Sequence, residues 1–134
     1  MGLDNGITAR ITHNDTEIQD FDVCYWRKCW SLRTSILSKI GYDRDEKETT
    51  INLTDIYDVI GKELKSNYHD SIWDSKILIR KYKKDKRNLR KLIFMHKHFG
   101  LDKIYKWLHK HMGDEEDYNE SGVFSIEYIF YDSY

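Results

Sequence analysis

Proline is absent from the 134 residues. Helices in this chain therefore meet no ring-imposed break, and its turns fall to Gly, Asn and Asp, which tolerate left-handed backbone. Cysteine is confined to Cys24 and Cys29. On a helix that spacing sets the two thiols on different sides, which argues against an internal disulfide and for reduced core or part-buried thiols. No apolar run approaches the roughly 18 consecutive residues that cross a bilayer. The opening MGLDNGITAR lacks the charged-then-apolar layout of a secretory signal, and Gly6 stands where a myristoylation signal carries Ser or Thr. No membrane association is expected, and the glycosylation sequons beginning at Asn14, Asn52 and Asn119 are read as chance.

Chemical motifs are also missing. There is no phosphate-binding loop, dinucleotide fingerprint or nucleophile elbow, and no zinc-finger spacing, RNP pattern or GxxG clamp. His96 with His98 and His109 with His111 have the look of ligand pairs. Residues two apart on a helix point about 200° from each other, so neither pair can chelate from one face. The acidic run Asp114 to Asp117 lacks the regular spacing of a calcium loop. Arg27 and Lys28 would lower the pKa of a neighbouring thiol, but no base is placed beside Cys24 or Cys29 by sequence alone. No catalytic residue, metal or cofactor is assigned, and a binding protein is preferred to an enzyme.

What is present is a clear pattern of elements. Asp4, Asn5 and Gly6 read as a turn. Ile7, Ala9 and Ile11 then alternate with Thr8, Arg10 and Thr12, a half-buried strand over 7–12 that ends in a loop at His13, Asn14 and Asp15. Tyr25, Cys29, Leu32, Ile36 and Ile40 follow three-and-four spacing, which predicts a helix over 22–40, capped by Asp20 or Asp22 and closed by Gly41. Residues 41–51 read as a charged loop, and Thr54 as the cap of a helix over 54–66 built on Ile56, Val59, Ile60 and Leu64. Residues 70–84 fit neither period. A helix capped by Asp70 or Ser71 is preferred there to the strand that KILIRKY would make. From Lys86 the helical stripe Leu89, Leu92, Ile93, His96 runs to Gly100, and Asp102 caps a last helix carrying Ile104, Tyr105, Leu108 and Met112. The segment 123–131 alternates with both faces largely apolar, as a covered or centrally paired strand does. The predicted fold is α+β: a mostly helical single domain spanning 1–134, its small β-sheet formed by the N- and C-terminal strands.

The net charge of −1 hides a strong polarity. Residues 76–111 hold 13 Lys and Arg against Asp85 and Asp102 alone, a net of +11, while residues 112–134 hold 7 acidic residues and no basic one. Lys83, Lys84, Arg87, Arg90 and Lys91 form the candidate binding patch in this stretch. Such a patch engages phosphates with release of counterions, or an acidic protein surface with faster encounter. The plain alternative is a solvated helix face balanced by the acidic ends of the same molecule.

A second candidate is the segment YWRKCW. Trp26, Arg27, Trp30 and Arg33, at helical spacing, would hold bases or sugars between indole and guanidinium, or would simply pack with Arg stems over aromatic faces. This segment, the opening MGLD and the terminal EYIFYDSY together resemble small proteins of phages and prophages, which open with MGLD, carry YWRK on an early helix and finish on an aromatic strand. Those proteins often end in Ser-Trp, where this chain has Ser133 and Tyr134. The resemblance implies a mobile-element source and action in a bacterial host cytoplasm, and it brings no activity with it. The combined expectation is a phage-type accessory or counter-defence protein that blocks a host protein or captures a nucleotide or nucleic acid. The alternative is a small enzyme acting on a nucleotide or nucleic acid.

Overall fold

The computed structural model describes residues 4–41, 48–66, 73–113 and 118–133. Its first strand, β1 (Asp4–His13), buries Ile7, Ala9 and Ile11 completely, as their alternation predicts. The strand starts earlier than expected. Asp4, Asn5 and Gly6 are its first residues and not a turn, and Gly6 is there for space: a Cβ would run into the Cys24 carbonyl and the Tyr131 ring. The loop after His13 is a tight hairpin in which Thr16 takes a φ of 67° and Asp15 Oδ1 accepts the Glu17 N–H at 3.1 Å.

That hairpin leads into a strand the periodicity did not reveal, β2 (Ile18–Arg27), and the predicted helix over 22–40 is corrected accordingly. The register passes from Ile7↔Cys24 to Thr8↔Asp22, so Val23 is an extra residue, a β-bulge. The bulge puts consecutive Val23 and Cys24 both inside, which breaks the two-residue alternation and mimics a helical cluster. Asp20 and Asp22 lie in β2 and cap nothing. The chain turns at Lys28, with φ 52°, and helix α1 (Trp30–Ile40) begins there. Leu32 and Ile36 are fully buried, Leu37 and Ile40 half-buried, and Gly41 closes the helix with φ 80°. Tyr25 belongs to the strand and faces solvent.

The loop predicted over 41–51 contains a short strand, β3 (Glu48–Thr50), while residues 42–47, which carry most of its charge run, lie outside the described residues. Helix α2 (Leu53–Lys65) forms as expected, with Asn52 rather than Thr54 as its cap: Asn52 Oδ1 accepts the Thr54 N–H at 2.9 Å. The ambiguous segment is helical. Asp74 accepts the Lys76 N–H at 2.9 Å and opens α3 (Ser75–His98), a 24-residue helix without interruption; Asp70 and Ser71 lie outside the described residues. Helix α4 (Leu101–Met112) follows Gly100. Asp102, expected to cap it, accepts the Val123 N–H at 3.0 Å and so ties α4 to the start of β4 (Val123–Ser133).

The strands make one four-stranded sheet in the order β2-β1-β4-β3, and every neighbouring pair is antiparallel. The N- and C-terminal strands are therefore direct neighbours, in the α+β arrangement expected. The register pairs Ile7 with Phe130, Ala9 with Tyr128 and Ile11 with Ile126. Those side chains share one face with the helical residues Leu32, Ile56, Leu89, Leu92, Ile104 and Leu108 in a single core cluster. On the other face Arg10 holds Asp20 through two bonds of 3.0 and 3.1 Å and reaches Glu48 at 3.7 Å.

Candidate functional site

The apolar residues of α3 (Leu78, Tyr82, Leu89, Leu92, Met95) recur at helical spacing and turn one side inward. The opposite side is consequently a line of cations. Lys76, Arg80, Lys83, Arg87, Arg90 and Lys91 are all exposed, at steps of three, four and seven. From Lys76 to Lys91 the line is about 22 Å long at the α-helical rise. Among the described residues the α3 cations form one ion pair, Lys81 with Asp85. The line ends in an aromatic group. Phe94 and Phe99 are 48% and 41% exposed, and the His98 ring sits 4.5 Å from that of Phe94. Lys103 of α4 stands over Phe99 at 5.0 Å. The patch expected from sequence is thus continuous: Lys83, Arg87, Arg90 and Lys91 lie along it and Lys84, also exposed, at its border.

Trp26 takes no part in the exposed aromatic and arginine cluster expected around YWRK. Trp26 is fully buried at the end of β2, with its indole N–H on Asp85, so it offers no stacking surface. Arg27, the next residue of the strand, is exposed on the opposite face of the sheet. Trp30 starts α1 and is part-exposed. Arg33 is engaged with Asp132 by three bonds of 2.8 to 3.0 Å. The segment straddles a strand, a turn and a helix, so the helical spacing assumed for the four residues does not hold. YWRK accordingly lies on β2 and its turn, and not on a helix.

Two cavities flank α3. One, of about 370 Å³, lies between β2, α3 and α4, and its wall includes Lys81, Lys84, Asn88 and His111, with Asp85 in its lining. Asp85 is 1% exposed. Its carboxyl is pushed above the usual carboxylate range by burial, and Lys81, at 2.6 Å, pulls it back only in part. The other cavity, of about 490 Å³, opens between α2, α3 and β4. There His96 Nε2 lies 2.6 Å from Tyr128 Oη. Burial holds the imidazole below its ordinary value and the phenol above its own.

Each cavity is lined by one histidine, so the pairs His96 with His98 and His109 with His111 do not converge in either. No group of three or more His, Cys, Asp or Glu able to hold a metal occurs among the described residues, and Asp114 to Asp117 lie outside them. Cys24 and Cys29 are buried free thiols, and burial pushes the Cys24 thiol well up, away from reactivity. No helix among the described residues is long and apolar enough to cross a membrane.

Sequence reasoning missed the Trp26–Asp85 contact and the cavity beside His96, because both join residues far apart in the chain. A lone Asp on the apolar side of α3 was the one available signal for the first. No protein-family model matches the chain, and neither does any curated protein or solved structure.

Proposed function

We propose that the chain is a binding protein that captures a nucleic-acid strand along the outward side of α3. The observation that carries this reading is the unbroken line of exposed cations from Lys76 to Lys91, ending in the exposed rings of Phe94, His98 and Phe99. Lysines and arginines at this spacing track a phosphate backbone, and aromatic faces at the end of the track accept bases by stacking. An acidic protein would use the cations and leave the rings without a role, so the strand is the better fit. The resemblance to phage and prophage proteins supplies the setting: an accessory or counter-defence factor in a bacterial host cytoplasm, sequestering nucleic acid or blocking a host protein that carries it.

The test is fluorescence anisotropy of a labelled single-stranded oligonucleotide at two salt concentrations, with the wild type and Arg87→Glu/Arg90→Glu. The wild type binds with an affinity that falls steeply with salt. The double variant binds more weakly, and its salt slope is smaller by about one per lost phosphate contact. Its stability stays within about 0.5 kcal/mol of the wild type, because both positions are on a solvated face. Salt-independent binding, or equal binding by the two proteins, removes the reading. Slower association with an acidic protein in place of a strand moves the assignment to that partner class.

A further inference from the structure

The larger cavity lies beside the cationic line. Helices α2 and α3 pack with Lys86 Nζ 4.9 Å from the centre of the Tyr57 ring. Beyond that contact, at the start of α2 and the end of α3, they enclose about 490 Å³ over β4. This is within the roughly 300–1,000 Å³ typical of small-ligand sites. Ile51, Ile93 and Ile126 give it aliphatic walls, and polar groups come from the bonded pair His96 and Tyr128 and from Asn52 and Thr54 at the start of α2. Among the described residues Lys97 lines it, no carboxylate does, and Lys97 makes no ion pair. The site therefore favours a ligand with a largely apolar body that carries some polar groups and a negative group. Lys97 is also two turns beyond Arg90, on the same edge of α3. A strand whose phosphates follow that edge is led to the mouth of the cavity.

We infer that this cavity takes one unstacked nucleotide of the bound strand: the base between Ile93 and the Ile51–Ile126 side, the phosphate at Lys97. The inference rests on the strand-binding reading above and adds to it a base-sized pocket, which the exposed rings of Phe94 and Phe99 do not provide. The hydroxyl of Tyr128 and the imidazole of His96 are the groups placed to meet the polar edge of the base. Burial lowers the His96 value below that of a free imidazole, which disfavours a second positive charge on that wall. The aliphatic walls offer dispersion contact and no hydrogen bond, so they contribute affinity and not sequence preference.

The experiment uses the full chain with its isoleucine methyls labelled for NMR. Adenosine 5′-monophosphate, thymidine 5′-monophosphate and inorganic phosphate are titrated separately. The nucleotides shift the methyls of Ile51, Ile93 and Ile126, and inorganic phosphate does not. Ile93→Trp, which fills the cavity, weakens binding of an eight-base single strand about tenfold or more, in keeping with the loss of one base contact, and leaves the salt slope in place. Unmoved methyls, equal shifts with inorganic phosphate, or undiminished strand binding by Ile93→Trp overturn the inference while the α3 reading stands. Nucleotide-dependent shifts in a protein that binds no oligonucleotide at any salt overturn the α3 reading and leave the pocket as a free-nucleotide site. Should Ile93→Trp fail to fold, the wild-type titration decides.

Discussion

The indole N–H of Trp26 donates to Oδ2 of Asp85 at 2.9 Å, joining the end of β2 to the middle of α3. Lys81, one turn before Asp85 on the same helix, occupies Oδ1 at 2.6 Å. Both oxygens of a carboxylate that is 1% exposed are thereby satisfied, which is the condition for keeping such a group inside. Trp26→Phe leaves Oδ2 without its donor and should cost about 1–3 kcal/mol at neutral pH, read as a shift of the urea midpoint. An unchanged midpoint would show that water replaces the indole.

The same carboxyl gives the protein a pH dependence of known sign. Burial raises its folded-state value above the ordinary 3.8. The stability it contributes is therefore fully present below the unfolded value and is lost as pH rises through the folded one. Asp85→Asn removes that titration and keeps an acceptor for Trp26. Urea unfolding at successive pH values should show the wild type losing stability relative to Asp85→Asn as pH climbs above 3.8. Parallel curves for the two proteins would contradict the raised value.

Leu32 and Ile36 have no exposed surface and hold α1 to the core. Either one changed to Ala should cost about 2–5 kcal/mol, whereas Ser38→Ala on the exposed side of the same helix should stay within about 0.5 kcal/mol. Chemical denaturation of the three variants checks the orientation of α1. A loss at Ser38 equal to that at Leu32 would reverse it.

Gly6 faces the Cys24 carbonyl on one side and Tyr131 on the other. Gly6→Ala forces the central strand against backbone that cannot rotate away, and about 1–3 kcal/mol of destabilisation is expected, as for other overpacked sites. Thermal unfolding measures it. Combining Gly6→Ala with Tyr131→Ala relieves the contact with the ring and leaves that with the carbonyl, so recovery should be partial. Full recovery would assign the whole effect to Tyr131.

Arg33 and Asp132 tie α1 to β4 with side chains that are 13% and 10% exposed. At that depth solvent screens the pair less than a surface bridge, and its fork geometry adds to its strength. A double-mutant cycle with Arg33→Met and Asp132→Asn should give a coupling of about 1–3 kcal/mol. A coupling within about 0.3 kcal/mol would reduce the pair to a surface bridge.

Most of the helical half of the fold was legible because it obeys one rule. Ile56, Val59 and Ile60 in α2 and Leu89 and Leu92 in α3 repeat on one side, and Gly41 and Gly100 mark limits. β1 and β4 were legible for the matching reason, an alternation of two. β2 was hidden because its bulge at Val23 breaks the alternation, while Cys29, Leu32 and Ile36 extend a helical spacing backwards across a turn at Lys28. The capping residues shifted for local reasons: Asn52 and Asp74 bind their own helix starts, and Asp102 serves β4 instead. The cationic line of α3 followed from composition and period together. The cavity beside it could not, since it depends on where α2 and α3 separate.

The position of β1 between β2 and β4 also sets an order of events during synthesis. The β1–β2 hairpin closes a short loop and can form while the rest of the chain is still in the ribosome. The other edge of β1 has its partner in β4, and even the contact between His13 and Gly122 spans 109 positions. Until β4 emerges, one side of a strand carrying Ile7, Ala9 and Ile11 keeps its backbone hydrogen-bonding groups open, the kind of edge that recruits other chains. Closing so long a loop is slow compared with forming α3 or α4. The nascent protein thus passes through a stage in which its helices can be in place and its sheet is still half made, and the pairing of β4 with β1, not helix formation, completes the core.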